Sequence, residues 1–321
     1  MTTAAGSLTD PGHSRVDAKP DDATQVVRRT SHMDQGGCAV TRGWLIRSAG
    51  TRLEVKGAPH LGRWWPILSA QIPGVCGPPA DGHGGPDALR INDSAGPADT
   101  RRIINAGLHV GHLGTETLSV HGVAVAKAGQ AMLLIGDHGA GKSLTALGMI
   151  QSMGWSPVAG DTCLVRLDAR GVAVVVGGTR AFVVRRADVT RWFPALAFAE
   201  QDGELVDLAV SLPGFSGGAP RLAGIVMVAV DGGAFGSPPV ACDERVAMNA
   251  LCRASGHLLA KVLDDAAADP LSLLESPDLV RRRMQLVRLL ASTVRCWWAR
   301  GTPDVLAAAV ESLAREGASR G

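Results

Sequence analysis

Three observations predict that this chain of 321 residues has a mixed α/β fold. An apolar run at residues 131–135 has the composition of a buried strand, and a glycine-rich loop follows it. Residues 144–153 then place apolar side chains at helical spacing, and further strand-like runs lie on both sides of this unit. Helical periodicity dominates the C-terminal third. Strands and helices interleaved in this order are compatible only with the mixed α/β class.

The chain divides into three predicted parts. Residues 1–36 are rich in Gly, Ser, Thr, Asp and Pro without periodicity, and we expect them to be disordered. Residues 37–110 form a small β-rich region, and residues 111–321 form the main domain. The second part is expected to contain short strands at Trp44–Arg47 and Leu53–Val55 and a Gly/Pro-rich loop at 74–97.

Two strands are expected to pair just before the glycine-rich loop. Residues Leu118–Ala126 alternate apolar with polar or small side chains, which is typical of a strand. A turn at Lys127–Gln130 follows, and the chain then continues as the apolar strand Ala131–Ile135. Because so short a turn joins them, we expect the two strands to lie side by side.

The remaining elements are predicted by the same periodicities. Runs of β-branched and other apolar residues predict strands at Cys163–Leu167, Val172–Val176, Ala181–Val184, Leu222–Val230 and Val294–Trp298. Apolar residues at i, i+3 and i+4 predict helices at Arg245–Leu263, Leu279–Leu290 and Pro303–Leu313.

Composition and charge exclude several classes of partner. Hydrophobic residues make up 46% of the chain and charged residues 19%, which is enough apolar material for one large or two modest cores. The net charge is only +2 and the arginines are scattered, so we expect no nucleic-acid partner. No apolar run reaches the ~18 residues that a membrane span needs, so we expect no membrane partner.

The cysteine pattern favours a reducing compartment. The six cysteines form no C-x-x-C pair and no cluster with the spacing of zinc ligands. The N-terminal residues also lack the apolar core of a secretion signal. We therefore expect a cytoplasmic protein with free thiols.

The most specific motif in the chain is Gly136-x-x-x-x-Gly141-Lys142-Ser143, the pattern of a phosphate-binding P-loop. Its glycines let backbone N–H groups turn towards phosphates, and the helix that follows offers its positive N-terminal end. Lys142 is expected to neutralise the β- and γ-phosphates, and Ser143 to bind Mg²⁺. The predicted nucleotide-binding residues are Gly136, Asp137, His138, Gly139, Ala140, Gly141, Lys142, Ser143 and Leu144. The sequence therefore predicts that the protein binds a nucleoside triphosphate.

Two polar residues near this motif are candidates for its chemistry. His121 with Gly122 ends or interrupts the strand that pairs with the P-loop strand. After the P-loop helix, a second largely apolar stretch of the chain leads to Asp161. Because adjacent parallel strands end near one another, we expect Asp161 at the same sheet edge as Lys142 and Ser143.

These motifs together resemble the HPr kinase/phosphorylase-like kinases. That family has a strand with His-Gly, a short hairpin, G-x-S-G-x-G-K-S, a helix, a turn and Val-Ala-Asp-Asp. The matching segments here are His121–Val125, Gly136–Ser143, Thr145–Leu147, Gly154-Trp155 and Val158–Asp161. The match is strong from His121 to about Val165. Phosphoenolpyruvate carboxykinases share the nucleotide-binding core and are more distant.

The resemblance implies a kinase that uses ATP and Mg²⁺. It assigns phosphate binding to Lys142, the metal to Ser143 and Asp161, and a place beside the transferred phosphoryl group to His121. The implied catalytic residues are thus Asp161, His121 and Lys142. The implied acceptor is a serine-type hydroxyl on a peptide, a protein or a small molecule. The resemblance also implies self-association into homo-oligomers.

The chain departs from the family pattern at the paired aspartates. Gly160 stands where the family has the first of them. One of the two carboxylate roles, base or metal ligand, therefore has no residue at its usual position. Either Asp161 serves both as base and as metal ligand, or another acid such as Asp207 or Asp231 acts as the base. A basic Pro-Gly-Arg signature is also reduced to Pro220-Arg221. The alternatives are a degenerate ATP-binding regulatory or scaffold protein and a carboxykinase-like or hydrolytic enzyme.

The candidate residues also have structural interpretations. His121 is compatible with a buried core histidine, and His138 with a loop side chain that points outward. Asp161 is compatible with a turn residue at the end of a strand. Asp231, which precedes two glycines, is best interpreted as a turn residue.

Overall fold

The computed structural model describes residues 44–57, 60–77, 88–196, 203–231 and 237–318. All of them belong to one compact unit, Thr41–Gly321. The segment 1–36, for which the sequence predicts disorder, lies outside the described residues, as does the middle of the predicted Gly/Pro-rich loop, residues 78–87. None of the described helices is long and apolar enough to cross a membrane.

The first described elements form a small four-stranded sheet with two helices. They are β1 (Trp44–Ser48), β2 (Thr51–Lys56), α1 (Leu61–Leu68), β3 (Val75–Gly77), β4 (Leu89–Arg90) and α2 (Pro97–Gly114). The strand order is β3-β1-β2-β4. Ile46, Val55, Leu61, Ile104 and Leu108 form a common core between the sheet and the helices. The two strands predicted at Trp44–Arg47 and Leu53–Val55 are confirmed.

Neither α1 nor α2 is predicted from the sequence. Helix α2 contains several glycines, which weaken its periodic signal, yet two of them are needed for packing. A Cβ at Gly107 would lie 2.8 Å from Leu89 Cδ2, and one at Gly111 would lie 2.5 Å from Thr51 Cγ2. The glycines therefore let α2 approach the small sheet closely. Helix α2 spans the expected boundary between residues 110 and 111.

A nine-stranded mixed sheet forms the centre of the molecule. Its strands are β5 (Thr117–His121), β6 (Val123–Lys127), β7 (Gln130–Ile135), β8 (Ser156–Ala159), β9 (Thr162–Leu167), β10 (Ala173–Gly178), β13 (Arg221–Val230), β14 (Ser237–Ala241) and β15 (Cys296–Gly301). The main path runs β5-β9-β10-β13-β7-β6-β8, and β15 pairs with both β13 and β14. A separate pair is formed by β11 (Val183–Arg185) and β12 (Leu205–Asp207).

Helices cover both faces of this sheet. They are α3 (Lys142–Met153), α4 (Arg186–Trp192), α5 (Glu244–Gly256), α6 (Pro277–Thr293) and α7 (Pro303–Ala318). Met132 and Leu134 of β7 lie in the core shared with α3 and α7. Leu133 and Ile135 lie in the core shared with α5 and α6. The strand is apolar on both faces because helices bury both of them. The predicted mixed α/β class is confirmed.

The predicted strand Leu118–Ala126 is divided in two at Gly122. Strand β5 pairs with β9, whereas β6 pairs with β7 and β8. A Cβ at Gly122 would lie 2.8 Å from the backbone oxygen of Leu134, so only glycine fits where the chain passes β7. The expected pairing of this segment with the P-loop strand is confirmed for β6.

Two other expectations are corrected by the structure. Strand β8, which leads to Asp161, is not adjacent to β7, because the antiparallel β6 lies between them. Two antiparallel pairings make β8 and β7 run in the same direction, so their carboxyl ends still point to the same side. The helix predicted over Arg245–Leu263 ends at Gly256, and a turn follows it.

Candidate functional site

The P-loop connects β7 to α3 and packs against β13. Gly136 has φ of 150°, and a Cβ there would lie 2.9 Å from the backbone oxygen of Val228. Gly141 has φ of 86°, and a Cβ there would lie 2.2 Å from Val230 Cγ2. Both the positive φ angles and this close packing exclude other residues. The motif glycines are therefore required by the geometry of the loop.

Lys142 begins helix α3 and folds back over the loop. Its Nζ donates hydrogen bonds to the backbone oxygens of Gly136 and Asp137, each at 3.0 Å. Burial lowers the pKa of Lys142, and the negative charges of Asp161 and Asp137 oppose that shift. The ammonium group therefore lies inside the loop, where it can exchange carbonyl oxygens for phosphate oxygens.

The P-loop opens into a cleft of about 810 Å³. The sequence-predicted residues that line it are His121, His138, Gly139, Gly141, Lys142, Ser143, Leu144 and Asp161. Three predicted loop residues, Gly136, Asp137 and Ala140, do not line it. The carboxylate of Asp137 instead forms an exposed ion pair with Arg253 of α5, at 2.6 Å. The structure thus brings His121 and Asp161 to the same cleft as Lys142 and Ser143.

His121 and Asp161 are in contact. His121 Nδ1 lies 3.3 Å from Asp161 Oδ1, at the point where β5 ends and β8 turns into β9. The backbone supports this contact, because the N–H of Gly122 donates to the carbonyl oxygen of Asp161 at 2.9 Å. The side chain of His121 is buried, whereas that of Asp161 is 61% exposed to the cleft.

Asp161 is held in its ionised form. Loss of solvent in the cleft is the largest single influence and raises the pKa of Asp161, but the contact with His121 and the charge of its ring lower it. The charges of His257 and Lys261 act in the same direction as His121, and the pKa is about 2. Asp161 is therefore an anion throughout the neutral range.

The turn that carries Asp161 is fixed by Thr179, a residue that sequence reasoning missed. The Thr179 hydroxyl accepts hydrogen bonds from the backbone N–H of Asp161 at 3.0 Å and of Thr162 at 2.9 Å. The Thr179 carbonyl accepts a third from the N–H of Gly160 at 2.9 Å. Thr179 is completely buried, so water does not compete for these hydrogen bonds.

Gly160 occupies a position where no side chain fits. An ideal Cβ there would lie 1.8 Å from the carbonyl oxygen of Ala181 and 2.8 Å from its carbonyl carbon. The kinase-like pattern places an aspartate at this position. In this chain the backbone of Ala181 leaves no room for it.

The two acids named as substitutes for it lie in different surroundings. Asp207 lines the cleft, and its Oδ1 accepts hydrogen bonds from the N–H groups of Phe182 at 2.9 Å and Ala209 at 3.0 Å. Asp231 does not line the cleft and forms an ion pair with Arg300. Among the described residues, Asp207 is thus the better placed of the two, although its carboxylate already supports the backbone.

His257 is a second residue that sequence reasoning missed. Its ring stacks on that of His121, with centroids 3.9 Å apart and planes inclined by 17°. Burial, followed by the charges of His121 and Lys261, lowers the pKa of His257 to about 4. The segment after α5 brings His257 to the site, and no motif in the sequence marks it.

Four cations from outside the P-loop also line the cleft. Arg101 and Arg102 belong to α2, Arg185 ends β11, and Lys261 lies beyond the end of α5. The sequence offers only scattered arginines and a single lysine as a signal for them. The positions of the α2 arginines and of Lys261 could not be predicted because they depend on how α2 and the turn after α5 pack beside β5.

The donor chemistry of the site fits a magnesium ion that arrives with phosphates. The Ser143 hydroxyl and the Asp161 carboxylate are hard oxygen ligands in one cleft. The described residues contain no group of three or more His, Cys, Asp or Glu side chains arranged to hold a metal. Magnesium usually takes one or two protein ligands and completes its shell with phosphate and water.

Comparisons with known proteins find no matching family model and no matching curated protein.

Proposed function

We propose that this protein is an ATP-dependent phosphotransferase with a core of the HPr kinase type. In this proposal it transfers a phosphoryl group to a serine-type hydroxyl. The observation that carries the proposal is the shared cleft: Lys142 and Ser143 of the P-loop line it together with the contacting pair of His121 and Asp161. A phosphate-binding loop and an ionised carboxylate recur in sites of phosphoryl transfer, and a histidine can act there as the general base.

The P-loop residues bind and orient the triphosphate. The backbone N–H groups from Gly139 to Ser143 and the N-terminal end of α3 surround the phosphates. Lys142 exchanges its bonds to Gly136 and Asp137 for phosphate oxygens and neutralises their charge. Ser143 and Asp161 would hold Mg²⁺, which would offset the negative charge that develops on the phosphates during transfer.

The acceptor hydroxyl then reacts in line with the leaving group. Its oxygen forms a bond to the γ-phosphorus, and the bond from that phosphorus to the β–γ bridging oxygen breaks, so that ADP leaves with the electron pair. The hydroxyl proton passes to the His121 ring. Nε2 of the His121 ring is buried without a hydrogen-bond partner among the described residues, while Nδ1 faces Asp161. Asp161, which is ionised, supports the protonated ring and keeps its second oxygen for the metal.

A second candidate function is a nucleotide-binding protein without catalytic activity. The specific observation in its favour is Gly160, because the backbone of Ala181 excludes a second carboxylate there. Such a protein would bind ATP through the same loop and act by changing shape or partner. The two functions differ in turnover and not in nucleotide binding.

A transfer assay with γ-labelled ATP and Mg²⁺ separates the two functions. The acceptors are a peptide library and a set of small hydroxyl compounds, and the proteins are the natural chain and its Asp161→Asn and Lys142→Ala variants. We expect label on an acceptor with the natural chain only. The Asp161→Asn protein should still bind nucleotide, because the P-loop is intact.

Two outcomes would contradict this proposal, the first its assignment of Asp161 and the second the kinase itself. Transfer that persists in Asp161→Asn would remove this carboxylate from the chemistry. Nucleotide binding with no transfer to any acceptor would favour the non-catalytic function. Asp168→Asn is the matched control, because Asp168 lies in an exposed turn after β9 and outside the residues that line the cleft.

A further inference from the structure

The wall of the cleft formed by α2 and by the segment after α5 has no role in the mechanism above. Arg101 and Asn105 lie one helical turn apart on α2, and both line the cleft. Lys261 lines the same cleft from the segment after α5. This group of three residues, called here the α2 wall, lies outside the P-loop.

The positive charges of the α2 wall are not neutralised by ion pairs within the described residues. Arg101 donates to the neutral side-chain oxygen of Gln71, and Lys261 forms no hydrogen bond or ion pair in the described part of the chain. The neighbouring Arg102 differs, because Asp99 and Asp264 both pair with it. Two cations that face a cleft with no acid in ion-pair contact favour an anionic ligand.

Asn105 adds a second and independent observation. Its Nδ2 donates to the backbone oxygen of Gln71 at 3.1 Å, but its Oδ1 is buried without a hydrogen-bond partner. The residue is only 7% exposed. Because an unsatisfied buried carbonyl costs free energy, a ligand with an N–H or O–H group gains by donating to it.

The α2 wall is also within electrostatic reach of the reacting groups. Asp161 interacts electrostatically with Lys142 of the P-loop and with both Arg101 and Lys261. Because Asp161, Arg101 and Lys261 also line one cleft, a ligand held by the α2 wall lies in the same cleft as the carboxylate on which transfer depends.

We propose that the α2 wall binds the phosphoryl acceptor, and that this acceptor is a small hydroxyl compound with an anionic group, either carboxylate or phosphate. The inference rests on the proposed function and narrows its acceptor class. Arg101 and Lys261 hold the anion, and Asn105 accepts a hydrogen bond from the ligand. The hydroxyl oxygen then attacks the γ-phosphorus, ADP leaves, and the proton passes to His121, as in the transfer step above. The cleft volume of about 810 Å³ lies within the range of small-molecule sites.

Calorimetry tests this inference directly. The natural chain is titrated with L-serine, D-glycerate and glycerol 3-phosphate, and with the uncharged or cationic counterparts glycerol and serinamide. Each titration is made with and without Mg²⁺ and a non-hydrolysable ATP analogue. We expect at least one anionic compound to bind, and its counterpart to bind at least about tenfold more weakly. Because the carboxylate compounds and the phosphate compound are titrated separately, the experiment shows which anion is preferred.

Variants assign any binding to the α2 wall. Lys261→Ala should weaken binding of the anion by about tenfold. Arg101→Lys should weaken it less, because lysine keeps the charge. Lys261 is exposed, so its truncation leaves the fold intact even if changes at Arg101 do not. Arg245→Ala is the matched control, because Arg245 is exposed on α5 and does not line the cleft.

The outcomes distinguish this inference from the proposed function. If no anionic compound binds better than its counterpart, or if Lys261→Ala weakens only the ATP analogue, the inference is wrong. Transfer of label to glycerol or to a peptide serine as fast as to the anions would leave the kinase intact and overturn the acceptor class. Anion binding that depends on Lys261, without transfer to any hydroxyl, would support the anion site and contradict the kinase.

Discussion

His121 Nδ1 lies 3.3 Å from Asp161 Oδ1, although 40 positions of sequence numbering separate the two residues. The contact exists because β5 pairs with β9 in a register that places His121 opposite Thr162, the residue after Asp161. The exposed carboxylate and the buried ring thus form one unit at the sheet edge where the P-loop opens.

Replacing His121 tests its role as proton acceptor. In His121→Gln we expect phosphoryl transfer to fall by about 100-fold or more, since glutamine cannot take the hydroxyl proton. Nucleotide affinity should change little, because the P-loop is untouched. The rate with γ-labelled ATP and the affinity by calorimetry check this. His60→Gln is the control, since His60 is exposed at the start of α1. A variant that keeps the natural rate would exclude His121 from the chemistry.

Thr179 is predicted to act by positioning Asp161. Thr179→Val removes the hydroxyl that accepts the N–H groups of Asp161 and Thr162, while it keeps the shape of the side chain. We expect kcat to fall by about 10- to 100-fold with little change in the affinity for nucleotide. Thr179→Ser restores the acceptor and should recover most of the rate. Equal rates in the Val and Ser proteins would show that the hydroxyl has no such role.

An aspartate at position 160, which the resemblance to the HPr-kinase-like kinases implies, should not be tolerated. A side chain at position 160 meets the carbonyl of Ala181 at 1.8 Å, so Gly160→Asp must displace backbone. We expect the free energy of unfolding to fall by about 1–3 kcal/mol or more, without a gain in transfer. Denaturant unfolding measures the change. Gly214→Asp is the control, because a Cβ at Gly214 meets nothing within 4 Å. A stable Gly160→Asp protein with faster transfer would refute the steric argument.

Buried His112 should make stability depend on pH. It joins Ser48 of β1 to Ser119 of β5 through hydrogen bonds of 2.9 Å, and burial, with a smaller contribution from His109, lowers its pKa to about 4. In the unfolded chain the pKa of His112 is near 6.5, so between pH 6.5 and 4 the unfolded state binds more protons than the folded state. Stability therefore falls as the pH drops from about 6.5 to 4. The loss from this group is about 3 kcal/mol.

Denaturant unfolding at several pH values checks the effect of His112. His112→Gln should be less stable at neutral pH but should show a flatter dependence between pH 6.5 and 4, whereas His60→Gln should keep the natural slope. The contributions of Asp161 and Glu275, whose pKa values are lowered to about 2 from 3.8 and 4.5, are lost as the pH falls through those ordinary values. They therefore overlap the effect of His112 only at the acidic end of this range, and do so equally in all three proteins. An unchanged slope in His112→Gln would contradict the prediction.

Local sequence patterns predicted those strands and helices whose own residues show a clear motif or apolar periodicity. The P-loop, its strand and its helix appear where the glycines and the apolar periodicity place them, because each residue there is constrained by its neighbours in the chain. The apolar strand near Leu222–Val230 is likewise found, as Arg221–Val230. Helix α2 was missed because its glycines serve tertiary packing and weaken its periodicity.

The site was predicted only in part for a similar reason. His121 and Asp161 were found because each lies close in sequence to the P-loop unit. His257, Lys261 and Arg101 reach the cleft through the packing of α2 and of the turn after α5, and no spacing in the sequence encodes that contact. Thr179 acts through backbone hydrogen bonds from a neighbouring strand, which a motif does not reveal.

The central claim is that the loop around Lys142 binds a magnesium-bound triphosphate. Titration calorimetry of ATP with Mg²⁺ into the natural chain and into Lys142→Ala tests it most directly. We predict saturable binding to the natural chain and a loss of affinity of about 100-fold in the variant. Absence of heat with the natural chain, or equal affinity in both proteins, would contradict the account.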